Sequence, residues 1–182
     1  GEYNRPAIRP FTKIEDWNFS ALQQSGYKDY RDEVPAKDVP KYVFMGFEKA
    51  GHPQYKFDSR TEHHFAYVLE HDKHVQKWLR PAENQLRIYW HFNTRRYYPD
   101  FIVETADKIY MVETKAANEL ASIDVQEKMR AALKYCRYAS EFTATNGGKP
   151  WAYALVPHDE VRKDASFEGM VGRNTKREHQ TA

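Results

Sequence analysis

The strongest constraint on the fold is a pair of apolar segments that are separated by a short polar turn. The segments cover residues 97–104 and 108–113, and Ala106 and Asp107 lie in the turn between them. Both segments are rich in aromatic and β-branched residues, which favour strands, so the pattern predicts an antiparallel hairpin. If Thr105 pairs with Lys108, the register places Asp100 directly opposite Glu113.

Asp100, Glu113 and Lys115 are the candidate reactive residues of this hairpin. Opposed side chains in antiparallel strands have Cβ atoms about 4.5–5.5 Å apart, so the two carboxylates need a proton or a cation between them. Lys115 lies two residues beyond Glu113 and projects to the same face, whereas Thr114 is expected to point away. The same residues also fit an exposed hairpin with cross-strand ion pairs.

Hard oxygen ligands in this arrangement suit Mg²⁺, for which Mn²⁺ is a possible substitute. The predicted metal ligands are Asp100, Glu113 and the backbone carbonyl of Thr114. A metal held there lowers the pKa of a bound water and stabilises a leaving oxygen, while Lys115 offsets charge in the transition state. This is the chemistry of phosphodiester hydrolysis.

The rest of the sequence supplies helices and strands around the hairpin. Hydrophobic spacing predicts helices over residues 59–71 and 119–142 and strands over residues 41–47, 75–79, 86–90 and 151–156. The turn Asn146-Gly147-Gly148 stops the long helix. The order of elements predicts an α/β domain, in which a mixed β-sheet core is flanked by helices.

Three parts of the chain differ in composition. Residues 1–58 hold five of the nine prolines and predict an irregular N-terminal arm, or a linker from a preceding domain. Residues 59–160 form the predicted core, and residues 161–182 a polar C-terminal tail that frays. Because position 1 is Gly rather than Met, we expect either a segment of a longer protein or a residue left by cloning.

Composition excludes several classes of protein. A chain of 182 residues with 41% hydrophobic content is long enough for one domain with a buried core. The longest apolar stretch, residues 151–157, is too short to span a membrane. The single cysteine, Cys136, excludes an internal disulfide and favours the reducing cytoplasm. Gly147-Gly148-Lys149 lacks the spacing of a P-loop, so the sequence indicates no nucleotide site of its own.

Basic residues are the candidate contacts to DNA. Net charge is only +2, but residues 73–96 contain six basic side chains and one acid, Glu83. Arg95 and Arg96 precede the Tyr-Tyr-Pro-Asp run and would lie at the mouth of the site, where they suit phosphate contacts. Lys128 on the long helix is a weaker candidate. A charged hairpin loop at residues 93–94 is the alternative for the two arginines.

Glu62 and four histidines lie on or just after the first predicted helix. Glu62 is on its core-facing side and could be a third acid at the metal or orient a water; a simple first-turn acid beside the helix dipole is the alternative. Four histidines lie close together in the sequence and suggest a zinc site: His63, His64, His71 and His74. Without a cysteine partner or an HExxH pattern, solvated or DNA-facing histidines are favoured instead.

Several of these segments together resemble a known family. Pro99-Asp100 and Glu113-Thr114-Lys115 fit the PD-(D/E)xK pattern. With Tyr55-Lys56-Phe57-Asp58-Ser59, they make residues 42–136 similar to the C-terminal nuclease domain of type III restriction enzyme Res subunits and related helicase–nuclease proteins. One departure is Ala116, where a glycine often follows the motif lysine.

The resemblance implies a restriction-endonuclease-like fold and Mg²⁺-dependent cleavage of double-stranded DNA. It assigns catalytic positions to Asp100, Glu113 and Lys115, and Glu62 matches the helix glutamate of the family. Family members carry this domain behind an ATP-driven motor, and some work with a methyltransferase subunit. The alternative is a non-catalytic DNA-binding or interaction module on a nuclease-like fold.

Overall fold

The computed structural model describes residues 26–82, 86, 88–90 and 95–178, without the side chains of residues 89–90 and 95–97. Its strands are β1 (Tyr27–Asp29), β2 (Val43–Met45), β3 (Gln54–Tyr55), β4 (Lys77–Leu79), β5 (Ile88–Trp90), β6 (Arg95–Tyr97), β7 (Phe101–Glu104), β8 (Ile109–Lys115), β9 (Trp151–Pro157) and β10 (Thr175–Lys176). Its α-helices are α1 (Arg60–His71), α2 (Ile123–Asn146) and α3 (Phe167–Asn174). Short 3₁₀ helices cover Ala36–Lys41, Ala117–Glu119 and His158–Glu160.

The central element is a five-stranded sheet with the order β10-β9-β8-β7-β4. Strands β8 and β9 run parallel, as expected for two strands joined by the long helix α2, and the other neighbouring pairs are antiparallel. Strands β5 and β6, which lie between β4 and β7 in the sequence, form a separate two-stranded antiparallel sheet. This mixed sheet flanked by helices is the predicted fold class and is consistent with a restriction-endonuclease-like fold.

Side-chain alternation along β7 and β8 gives the sheet a hydrophobic layer on each face. Phe101, Val103 and Val112 belong to the core that contains α1, α3 and the N-terminal strands. Ile102 and Met111 belong to the second core, formed with α2. By the same alternation, Glu113 projects towards α2, because it shares the parity of Met111.

Serine caps set the starts of both long helices. The Ser59 hydroxyl accepts a hydrogen bond from the Glu62 amide at 3.3 Å, and α1 therefore begins at Arg60, close to the predicted start. Helix α2 begins later than predicted, at Ile123, because Ser122 accepts from the Val125 amide at 3.2 Å. Helix α2 ends at Asn146 and is capped by Gly147, whose φ of 70° suits glycine.

Both ends of the described chain are more ordered than their polar composition suggested. Strands β1, β2 and β3 form a mixed three-stranded sheet in the predicted N-terminal arm, and Phe44, Tyr55 and Phe57 from this segment are buried. The predicted tail contains α3 and β10 rather than fraying. Helix α3 buries Phe167 and Met170, a short apolar set that polar neighbours had hidden.

The Glu70 carboxylate connects α1 to the segment after β2 and to β4. Its Oε2 accepts a hydrogen bond from the Glu48 amide at 3.0 Å, and its Oε1 accepts from the Lys49 amide and the Trp78 indole, each at 2.9 Å. The Trp78 side chain is buried at the centre of the core, so these bonds hold a packing contact in place.

Glu70→Gln is expected to lower the free energy of unfolding by about 1–2 kcal/mol, because the amide nitrogen cannot accept the bond that Oε2 receives. Urea denaturation measures the change. The matched control is Glu168→Gln, whose side chain is 71% exposed, and it should stay within about 0.5 kcal/mol of the wild type. A Glu70→Gln variant as stable as the control would contradict this role.

Candidate active site

The β7–β8 hairpin has the predicted register. Residue pairs run from Phe101 opposite Val112 to Glu104 opposite Ile109, and the Thr105 amide donates to the Lys108 carbonyl at 2.9 Å. One residue before β7, the same register sets Asp100 opposite Glu113. The hairpin therefore brings the two carboxylates together at the end of the sheet, away from the turn.

Glu113 is a buried carboxyl group in an unfavourable electrostatic setting. It is 9% exposed, and its Oε2 has no hydrogen-bond partner among the described residues. Burial raises the pKa of Glu113 well above its usual range, and the nearby Asp100 raises it further. The positive charges of Lys115 and Lys128 act in the opposite direction. Glu113 is therefore within electrostatic range of Asp100, Lys115 and Lys128.

Asp100 is held by Thr114, the residue between the two other motif positions. The Oδ2 atom of Asp100 accepts hydrogen bonds from the Thr114 amide at 2.9 Å and from the Thr114 hydroxyl at 3.2 Å. The Thr114 hydroxyl thus contacts one carboxylate of the site, a contact that strand alternation alone does not predict. Asp100 precedes the first residue of β7, so its side chain can reach around the end of that strand.

Glu62 reaches the same place from α1. It is 8% exposed, and its Oε2 accepts from the Asp58 amide at 2.9 Å and pairs with Arg80 Nη1 at 2.8 Å. Burial raises the pKa of Glu62, and the charge of Asp100 adds to this rise, while Arg80 opposes it. Asp100 is thus the link between the other two acids, because its charge acts on both Glu62 and Glu113.

Arg80 is the residue of this site that sequence reasoning missed, since it counted only as one of six basic residues. Its Nη1 donates to the Lys56 carbonyl at 2.9 Å. Its guanidinium carbon lies 5.3 Å from the ring centre of Phe57 and 5.4 Å from that of Phe101. The signal was available in the Tyr-Lys-Phe-Asp-Ser motif, because residues 56–59 supply contacts to Arg80, to Glu62 and to the start of α1.

The candidate DNA contacts are placed unequally. Lys128 on α2 is within electrostatic range of Glu113, because its charge lowers the pKa of that carboxyl group. The backbones of Arg95 and Arg96 lie in β6, which pairs with β5, but their side chains lie outside the described residues. Residues 93–94, the proposed hairpin loop, also lie outside them.

The four histidines do not converge on a zinc site. His63 is buried, stacks on Phe44 at 4.0 Å between ring centres, and its Nε2 lies 2.7 Å from the Tyr30 carbonyl oxygen. The expectation of a solvated or DNA-facing side chain is therefore wrong for His63, which packs in the core. Within the described residues, no group of three or more His, Cys, Asp or Glu is arranged to hold a metal ion.

A divalent cation would have to rely on fewer protein ligands at the hairpin. Asp100 and Glu113 offer two carboxylates, and the orphaned Oε2 of Glu113 is a buried oxygen donor that a cation would satisfy. Mg²⁺ usually keeps several waters and takes one or two carboxylates plus substrate phosphate oxygens. The residues present fit that pattern, with the Thr114 carbonyl as a further candidate ligand.

Comparison with known proteins agrees with this geometry. Residues 68–140 match the family model described as TnsA-like endonuclease N terminal. The matched segment contains Asp100, Glu113 and Lys115, whereas Glu62 precedes it. No curated protein and no solved structure matches the chain. In the described part of the chain, no helix has the length and apolar character needed to cross a membrane. The family match supports a PD-(D/E)xK-like nuclease fold that processes DNA.

Proposed function

We propose that this domain is a Mg²⁺-dependent endonuclease that hydrolyses phosphodiester bonds of double-stranded DNA. The observation that carries the proposal is the buried Glu113 carboxyl group, with an unpartnered oxygen, beside Asp100 and the charges of Lys115 and Lys128. Keeping such a group buried is unfavourable unless a proton or a cation relieves it. The match to an endonuclease family supports the choice of a cation.

Asp100, Glu113 and the Thr114 carbonyl would hold Mg²⁺, which supplies activation of water and stabilisation of the leaving oxygen. The Thr114 amide and hydroxyl fix the Asp100 carboxylate through Oδ2. Lys115 places a positive charge beside the phosphate that reacts, and Glu62 orients the attacking water. Lys128, Arg95 and Arg96 are proposed to contact DNA phosphates, for which Lys and Arg side chains are suited.

Incubation of the domain with supercoiled plasmid in Mg²⁺ or Mn²⁺ tests this function. The expected result is nicking that disappears with EDTA and in the double variant Asp100→Ala/Lys115→Ala. Nicking that persists in either control would exclude the proposed centre. The same assay with linear double-stranded DNA distinguishes endonuclease cleavage from loss of nucleotides at the ends.

A non-catalytic DNA-binding module is the second candidate. One observation favours it: in the chain as described, three side chains of the metal-binding types do not gather around one point. Such a module would bind DNA with a salt dependence set by its phosphate contacts, and would show no metal-dependent turnover. Calorimetric titration of Mg²⁺ into the wild type and into Asp100→Ala separates the candidates. A nuclease site should bind Mg²⁺ in the wild type and lose that heat of binding in the variant, whereas a binding module should show no difference.

For the parent protein, we propose an ATP-dependent motor linked to this domain and cooperation with a methyltransferase subunit. The support is the similarity of residues 42–136 to the nuclease domain of type III restriction enzymes. The family model that matches names a different, TnsA-like endonuclease. Cleavage by the longer protein with and without ATP tests the motor proposal, and a rate independent of ATP would contradict it.

A further inference from the structure

Arg80 is fixed by the protein on several sides. Its side chain is 14% exposed, pairs with Glu62 at 2.8 Å and donates to the Lys56 carbonyl at 2.9 Å. The rings of Phe57 and Phe101 lie about equally far from the guanidinium carbon, at 5.3 and 5.4 Å, so they restrict its position by packing and cation–π attraction. A guanidinium with so many protein contacts has little freedom to follow a DNA backbone.

These contacts join Arg80 to both sides of the candidate active site. Phe101 directly follows Asp100, and Glu62 is close enough for the charge of Asp100 to act on it. The Asp58 amide and Arg80 bind the same Glu62 atom, Oε2, at 2.9 and 2.8 Å. One hydrogen bond and one ion pair on the same oxygen restrict the carboxylate and leave its other oxygen for further contacts.

We propose that Arg80 is the positioning residue for Glu62: it fixes the Glu62 carboxylate beside Asp100 in the orientation that cleavage requires. The inference rests on the proposed nuclease function and assigns Arg80 no contact with substrate. Burial of an unpaired acid raises its pKa, and the charge of Arg80 opposes that rise for Glu62. Loss of Arg80 would therefore leave Glu62 mispositioned and more readily protonated.

The test is a double-variant cycle on single-turnover cleavage of supercoiled plasmid. It compares the wild type, Arg80→Gln, Glu62→Gln and the double variant, at saturating protein and metal. Arg80→Gln should cut the rate about 10–100-fold, as loss of a supporting contact at a site typically does. Because both residues act through one carboxylate, the double variant should be no more than about threefold slower than Glu62→Gln.

Binding and stability supply readouts independent of turnover. Arg80→Gln should leave the Kd for DNA and its salt dependence unchanged, whereas loss of a phosphate contact weakens both. The Tm of Arg80→Gln should lie below that of the double variant, since only the single variant leaves a buried acid without its partner. Arg80→Lys, which keeps the charge, should recover part of the rate and replaces Arg80→Gln in the cycle if that variant does not fold.

Lys149→Gln is the matched control. Lys149 also forms an ion pair, with Glu104 at 3.4 Å, and donates to a backbone carbonyl, that of Thr105 at 2.8 Å. It lies at the turn end of the hairpin, opposite the candidate site. Its substitution should leave the cleavage rate within about twofold of the wild type, although it removes a similar set of contacts.

Three results would overturn the inference while leaving the nuclease proposal intact: Arg80→Gln cleaves at the wild-type rate, its defect multiplies with that of Glu62→Gln, or its defect lies in DNA affinity. If the wild type fails to cleave DNA with every metal that is tested, the proposed function is overturned and, with it, the catalytic purpose of Arg80. The Tm cycle would then report only whether the two side chains are coupled in the fold.

Discussion

Lys115→Met is expected to slow metal-dependent cleavage of DNA by about 10²–10³-fold, the usual cost of removing one group that stabilises charge in a transition state. The Lys115 ammonium lies near enough to lower the pKa of Glu113, so it is beside the carboxylates proposed to hold the metal. Methionine keeps most of the aliphatic stem, and the fold should persist. Nicking rates at saturating Mg²⁺, with Tm as the check on folding, measure the effect.

The other end of the same hairpin offers a matched control. Lys108 and Asp107 lie at the turn, where both are exposed, and Asp107 Oδ1 accepts a hydrogen bond from the Thr105 hydroxyl at 3.2 Å. Lys108→Met removes the same chemical group from the same strand pair and should cleave within about twofold of the wild type. Equal rates for Lys115→Met and Lys108→Met would show that the charge at Lys115 takes no part in cleavage.

The arrangement of the hairpin was predictable because strand pairing has few alternatives. Once Thr105 pairs with Lys108, a period of two along each strand fixes which residues share a face, and Asp100 must lie opposite Glu113. The same logic places Lys115 on the face of Glu113. Local pattern and strand geometry therefore sufficed for the central part of the candidate site.

Contacts between distant segments were not predictable in this way. Arg80 meets Glu62 and Lys56 only because β4, α1 and the segment before α1 pack together in three dimensions. The contact between the Thr114 hydroxyl and Asp100 was not expected from alternation, because Asp100 lies just outside the regular strand. Alternation assigns a residue to a face, but it does not describe what happens where a strand ends.

Short elements escaped prediction for a different reason. Strands β1 and β3 have three and two residues, too few for a period to be recognised above the surrounding polar sequence. Strand β3 is stabilised by tertiary burial, since Tyr55 is fully buried in the core that includes α1. Strand β1 is held by pairing with β2, whose Phe44 is buried in the same core. The candidate site depends on this unpredicted part, since Lys56 and Asp58 follow β3 directly.

Glu113→Gln is expected to make the domain more stable without divalent cations and to abolish the response of its stability to Mg²⁺. At neutral pH, the wild type carries the cost of a buried carboxyl group with an unpartnered oxygen beside Asp100. The amide is neutral at every pH, so it removes the cost of either protonating or charging this buried group, with little change of volume. An increase in Tm of about 2–4 °C would correspond to about 1 kcal/mol in a domain of this size.

The gain in stability from Glu113→Gln should depend on pH in a defined direction. Because the pKa of Glu113 is raised in the folded state, the folded protein keeps a proton that the unfolded chain loses above a pKa of about 4.3. Wild-type stability therefore falls as pH rises from that value to the raised pKa, and the full cost remains at higher pH. The difference in Tm between Glu113→Gln and the wild type should accordingly shrink as pH falls towards 4.3.

Addition of Mg²⁺ should reverse the order of stability, because a ligand that binds only the folded state raises Tm. The Tm of the wild type should rise with increasing Mg²⁺. Glu113→Gln should bind the ion at least about 10–100-fold more weakly, because even residues that only hydrogen-bond to a metal ligand typically cost this much affinity when they are replaced. Glu104→Gln is the control, since Glu104 is 35% exposed and pairs with Lys149, and it should keep the wild-type response to Mg²⁺. If Mg²⁺ stabilises Glu113→Gln as strongly as the wild type, Glu113 is not a metal ligand. The raised pKa of its carboxyl group would then reflect burial beside Asp100 alone.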